Sequence, residues 1–169
     1  MFRTKGDGKE GRSYHRKLIE NVAALDVGAG IVLGGIYFEW AIRRAIVALG
    51  KSSVAELNAK FKAEHNLGYD DLKKLWKDEV AGRDGIRGLT DVFDLNPTKP
   101  VFGKLKLTGR DIGRARRRRN EIVHGGRSSP LPKNGFDYVR LQIAAAETLA
   151  DLVEERGRSI YNPIRRRPK

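Results

Sequence analysis

Apolar residues recur at helical spacing through most of this chain, and no stretch of useful length alternates polar and apolar residues as a half-buried strand does. Phe38, Ile42, Ala45 and Leu49 form one such series, which Gly50 closes. Further helices are predicted after the capping residue Ser53, over 69–80, from about Thr108 to His124, and over 136–155. The pattern therefore predicts an all-α fold, a bundle of four to five main helices.

Basic polar segments flank the predicted helical domain, which covers residues 21–157. Residues 1–20 lack an apolar period and are predicted to form a flexible arm. Residues 158–169 are predicted to form a mobile basic tail. Within the domain, residues 81–100 are rich in glycine and proline and allow only a short helix over 89–95.

The apolar segment Val22–Trp40 raises the question of a membrane span. Asp26 interrupts it, and the uninterrupted part, Val27–Phe38, is too short to cross a bilayer. No signal-peptide pattern precedes it. We interpret the segment as a buried core helix whose glycines let a neighbour pack closely, and we expect no membrane association.

The charge balance points to a polyanionic partner. The net charge is +13 and the pI is about 10.2, and basic residues far outnumber acids between 101 and 130. The chain has no cysteine, which excludes disulfides, a thiolate zinc site and a cysteine nucleophile. This composition is compatible with a reducing compartment, and a cytoplasmic location is predicted.

The segment 116–125, RRRRNEIVHG, places an arginine where an apolar residue is expected. On a helix, Ile112, Ala115, Ile122 and Val123 share one side, with Arg119 in its middle. An unpaired buried guanidinium would cost several kcal/mol, so Arg119 must meet an anion, a partner chain or a water-filled cleft. Glu39 is a candidate anion, turned inward to hold Arg119; the alternative is a solvent-side pair with Arg43.

Asn120 and His124 are four residues apart and lie beside this apolar side. No multi-histidine cluster or carboxylate cage suggests a metal site, and no cofactor is predicted. The group fits metal-free phosphodiester chemistry: His124 as general base or acid, Arg119 stabilising charge on the phosphoryl oxygens, and Asn120 orienting the phosphate or the imidazole. A two-fold dimer would supply a second histidine to one cleft.

Arg119, Asn120, three further residues and then His124 and Gly125 near a helix end resemble the signature of the HEPN superfamily. The resemblance covers about residues 22–155. It implies a small helical bundle and a metal-independent endoribonuclease acting as a dimer, with Arg119 and His124 as the catalytic pair and Asn120 assisting. It also implies a toxin of a toxin–antitoxin or anti-phage defence system, with an antitoxin protein as a partner. Members whose histidine is followed by a modified tyrosine differ from this chain, which has Gly126 at that position.

Four arginines close to the motif are predicted to contact RNA phosphates: Arg116, Arg117, Arg118 and Arg127. The competing interpretation of such a charge run is a solvated basic surface. A non-catalytic HEPN-like module that binds RNA or protein remains the alternative function. A DNA-binding regulator is disfavoured because no helix-turn-helix spacing is present.

Overall fold

A computed structural model of the protein describes residues 9–125 and 131–158, with the side chains of Lys9 and Glu10 left out. The elements in this part are α1 (Lys9–Leu25), α2 (Val27–Leu49), α3 (Val54–Ala63), α4 (Tyr69–Glu79), α5 (Leu89–Asp94), β1 (Val101–Phe102), β2 (Leu105–Lys106), α6 (Gly109–Gly125) and α7 (Gly135–Arg156). The predicted all-α class is confirmed. The two short strands pair as an antiparallel hairpin, which the sequence pattern did not predict.

Helix α2 is the centre of the bundle. It packs mainly on α7 and also contacts α1, α6, α4 and α3. Most of its residues are buried, because apolar or small side chains stand on nearly every face. In the part of the chain that the structure describes, no helix is both long enough and apolar enough to cross a bilayer.

The prediction of one helix through Val22–Trp40 is wrong in one respect, because the segment is divided at Asp26. The Asp26 carboxylate accepts a hydrogen bond from the Ala29 backbone N–H at 3.0 Å and thereby caps α2. The predicted role of the glycines is confirmed: a Cβ on Gly30 would lie 2.4 Å from the Ala23 Cβ, so α1 and α2 can approach only because Gly30 has no side chain.

The prediction of a flexible arm over 1–20 is wrong from Lys9 onward, where α1 begins. Ile19 is fully buried, and His15 is almost fully buried. Arg12 forms ion pairs with Asp151 and Glu154 of α7, the latter at 2.6 Å. These partners lie more than 130 residues away in sequence, which is why the segment resembles an unpartnered polar arm when its sequence is considered alone.

The predicted tail begins with a residue that is held by the fold. The Arg158 backbone N–H donates to the Ala48 carbonyl at 3.0 Å, and its guanidinium donates to the Val47 carbonyl at 3.1 Å. These contacts cover carbonyls in the last turn of α2, which lacks basic residues of its own there. The rest of the tail, 159–169, and the start of the arm, 1–8, lie outside the described residues.

Candidate nucleic-acid site on helix α6

Helix α6 begins as the sequence predicts. The Thr108 hydroxyl accepts a hydrogen bond from the Asp111 backbone N–H at 3.3 Å. The Asp111 carboxylate, which is buried, accepts from the Lys106 backbone N–H at 2.8 Å. The β hairpin is thus fixed to the first turn of α6, and Ile112 and Ala115 face the core.

Arg119 lies on this inner side, and α2 provides space for it through a glycine. A Cβ on Gly35 would lie 3.1 Å from the Arg119 Cγ. Further along, a Cβ on Gly28 would lie 3.8 Å from Ile122, so α6 runs antiparallel to α2. Val123 was predicted to share the apolar side but is 47% exposed. Ile122 lies near Gly28, the second residue of α2, so α2 does not extend far enough to cover Val123.

The Arg119 guanidinium meets two polar side chains. Its Nη2 lies 3.7 Å from the Glu39 Oε2, and its Nη1 donates to the Asn120 Oδ1 at 3.0 Å. The Arg119 and Glu39 side chains are each 23% exposed, so the pair is largely but not completely removed from water. The Nε is buried and has no hydrogen-bond partner among the described residues.

Of the two arrangements predicted for Glu39, an inward pair with Arg119 or a solvent-side pair with Arg43, the structure has the inward pair. Arg43, the alternative partner, instead donates to the Leu67 carbonyl at 3.0 Å and stacks over the Phe61 ring at 5.5 Å. The role of Glu39 in function stays a prediction.

A cavity of about 20 Å³, enough for about one water molecule, adjoins Arg119. It is lined by Gly35, Phe38, Glu39, Tyr69, Ile112, Arg116, Arg119, Gln142 and Ala145. Sequence reasoning missed Gln142, whose buried Oε1 also lacks a partner within the described ranges. The sequence did contain a signal for it, because Gln142 is a polar residue within the apolar series of α7.

Tyr69 is a second missed residue of this cavity. Burial raises the pKa of its phenol to about 12, although the positive charge of Arg116 lowers it, so the group is neutral near pH 7. The Arg116 guanidinium stacks over its ring at 5.0 Å and donates two hydrogen bonds to the Asp70 carboxylate, at 2.9 and 2.5 Å. Arg116 is therefore engaged within the chain.

The other predicted phosphate ligands differ in availability. Arg118 pairs with Glu121 at 2.7 Å. Arg117 is exposed and has no hydrogen bond or ion pair to any described residue. Arg127 lies outside the described residues.

His124 is exposed in the last turn of α6, and the helix ends at Gly125. At about 100° per residue, the five-residue step from Arg119 to His124 turns about 140° around the axis. The guanidinium points into the bundle and the imidazole points outward. One copy of the helix does not bring the two groups to one face.

The described part of the chain, 9–125 and 131–158, contains no group of three or more His, Asp or Glu side chains placed to hold a metal ion. Comparison of the chain with protein-family models, with curated proteins and with solved structures found no match.

Proposed function

We propose that this protein is a metal-independent endoribonuclease of the HEPN type. The observation that carries the proposal is the placement of Arg119: a mostly buried side chain, held by Glu39 and Asn120, five residues before an exposed histidine. A helix that only had to pack would gain more from an apolar residue at this position.

The proposed reaction is transesterification at an RNA phosphodiester. His124 takes the proton from a ribose 2′-hydroxyl, and the 2′-oxygen attacks phosphorus. The bond to the 5′-oxygen breaks, and that oxygen receives a proton from a second general acid. The products are a 2′,3′-cyclic phosphate and a 5′-hydroxyl end. Arg119 stabilises the negative charge on the non-bridging oxygens, and Asn120 orients the guanidinium through their hydrogen bond.

A homodimer supplies the missing geometry in this proposal. Arg119 and His124 of one copy face different directions, so a second copy is needed to bring an imidazole towards each guanidinium. Apolar side chains near this end of α6 support such an interface: Leu25 is 91% exposed and Leu131 is 51% exposed. Leu131 and Ile122 both approach Gly28, which places these residues together.

The biological setting is proposed from the resemblance alone. A HEPN-type ribonuclease of this size fits the toxin of a toxin–antitoxin pair or an anti-phage defence system, with an antitoxin protein as a partner.

The test is cleavage of total and transfer RNA by the purified protein in EDTA. We expect fragments that end in 2′,3′-cyclic phosphate, and a loss of about 10²-fold or more in rate for Arg119→Ala and for His124→Ala. His65→Ala is the matched control, because His65 is exposed and far from α6 in sequence. Circular dichroism checks that each variant is folded.

Retained cleavage in both variants would refute the catalytic assignment. RNA binding without cleavage, unaffected by His124→Ala, would instead support the alternative function, a non-catalytic module that binds RNA. That alternative has one observation in its favour: the Arg119 guanidinium is already paired within the chain, as it would be in a purely structural ion pair.

A further inference from the structure

The outer face of α6 carries a row of arginines, of which Arg117 was predicted to contact RNA and the other two were not. Arg110, Arg114 and Arg117 are four and three residues apart and so lie on one side of the helix. Arg110 and Arg117 are exposed, and neither has an ion pair with a described residue. Arg114 pairs with Asp111 at 2.9 Å but remains 41% exposed.

This row ends at His124. Arg110, Arg117 and His124 are spaced by seven residues, which is about two helical turns, so each step advances about 10 Å along the axis and stays on nearly the same side. The imidazole therefore faces the same way as the arginines, whereas Arg119 lies on the opposite side.

Apart from the ion pair between Arg114 and Asp111, the folded chain gains no contact from this row among the described residues. Like charges four residues apart, as in Arg110 and Arg114, destabilise a helix. Arg116 and Arg118 of the same helix are compensated by Asp70 and Glu121. Arg110 and Arg117 have no such compensation within the described residues, so an external polyanion is the partner that fits them.

We propose that Arg110, Arg114 and Arg117 form a phosphate-binding row along which an RNA strand reaches His124. The inference rests on the proposed function and identifies how its substrate is held. Guanidinium groups on an exposed helix face contact phosphates and carry no sequence information, so the row supplies affinity and direction of approach. Of the arginines that the sequence suggested for this role, the row keeps Arg117 and leaves out Arg116 and Arg118, which are paired within the chain.

The test measures binding separately from cleavage. Fluorescence anisotropy with a labelled 2′-O-methyl RNA, which lacks the attacking hydroxyl, is recorded between 50 and 300 mM salt for the full chain. Each lost phosphate contact should reduce the slope of log K against log salt by about 0.7. At 0.1 M salt this corresponds to about fivefold weaker binding for Arg110→Gln or Arg117→Gln, and about 25-fold for the double variant.

Lys62→Gln with Lys77→Gln is the charge-matched control, because both lysines are exposed and lie on α3 and α4. Glu121→Gln should strengthen binding, because Glu121 is the acid between Arg117 and His124 on the same side of the helix and also neutralises Arg118. The proposal is overturned if the double arginine variant has the slope and affinity of the lysine control. The probe is not cleaved, so binding and cleavage can fail separately. If the double arginine variant has a reduced slope but the unmodified chain does not cleave natural RNA, the ribonuclease proposal is contradicted and the phosphate-binding row is still supported.

Discussion

The guanidinium of Arg119 occupies a place that an apolar side chain fills in most amphipathic helices. It is tolerated because Glu39 supplies a carboxylate from α2 and Asn120 supplies an amide oxygen from the next position in α6. The buried Nε still lacks a partner among the described residues. A buried polar atom without a hydrogen-bond partner lowers the stability of the fold. Such atoms are found more often at functional sites, where the side chain has a role besides packing.

Glu39→Gln should lower the free energy of unfolding by about 1 kcal/mol, because the guanidinium loses its charged partner but keeps its bond to Asn120. Urea denaturation monitored by circular dichroism measures the change. Glu64→Gln is the control, since Glu64 is exposed and has no ion pair with the described part of the chain. Equal midpoints for the two variants would show that Glu39 does not stabilise Arg119.

The residues around Arg119 were only partly predictable. Its need for an anion followed from its position on an apolar face, and that reasoning led to Glu39. Asp70, the partner of Arg116, could not be found in the same way, because it lies 46 residues away on another helix. The pair between Arg118 and Glu121 was accessible, since residues three apart on a helix are neighbours.

At the scale of the helices, α2 determines how closely its neighbours approach. Gly34 faces Gln142: a Cβ on Gly34 would lie 2.7 Å from the Gln142 Oε1. Gly35 faces both Arg119 and Gln142: a Cβ on Gly35 would lie 3.1 Å from the Arg119 Cγ and 3.2 Å from the Gln142 Nε2. Arg119 and Gln142 therefore depend on a part of α2 that has no side chains. The glycines lower helix propensity and in return provide the room for this polar cluster.

Gly35→Ala should displace Arg119, because the new Cβ would lie 3.1 Å from its Cγ. We expect a loss of about 1–2 kcal/mol in stability, as in other overpacked cores. Gly113→Ala on α6 is the matched control: its Cβ would meet nothing within 4 Å, and a gain of about 0.5–1 kcal/mol is expected from helix propensity. Thermal unfolding of both variants gives the comparison.

Under the proposed function, Gly35→Ala should also reduce the cleavage rate at temperatures where the variant is fully folded. A variant as stable and as active as the unmodified chain would mean that α2 and α6 can shift apart without cost.

Local signals were sufficient for several elements. The capping box of Ser53 and Glu56 sets the start of α3, and both of its hydrogen bonds are formed. The short helix predicted over 89–95 is found as α5. The β hairpin was missed because each strand has two residues, which is too short for an alternating pattern; its turn uses Gly103 at φ +59°. Helix α1 was missed because it is stabilised by packing on α2 and by ion pairs with α7, neither of which its own sequence shows.

For the molecule as a whole, the net charge of +13 opposes compaction, and the acids that the chain does have are used where they join distant segments. Glu147, Asp151 and Glu154 on α7 bind the arginines of α1 and so tie the two ends of the described chain together. On the same helix, Ile19 and Ala23 are buried in the core.

The double variant Arg12→Gln, Arg16→Gln should therefore be less stable by about 1–2 kcal/mol at 50 mM NaCl, since each partly exposed ion pair contributes at most about 1 kcal/mol. The difference should fall by about half or more at 1 M NaCl, where the screening length is only about 3 Å. Urea midpoints at the two salt concentrations measure it.

The control for this variant also removes two positive charges, but it removes no ion pair. Lys17 and Lys73 are exposed and have no acidic partner among the described residues, so Lys17→Gln with Lys73→Gln should leave stability unchanged or raise it slightly through reduced self-repulsion. A destabilisation of the arginine variant that is the same at both salt concentrations would show that the aliphatic parts of Arg12 and Arg16, and not their charges, hold α1 on α7.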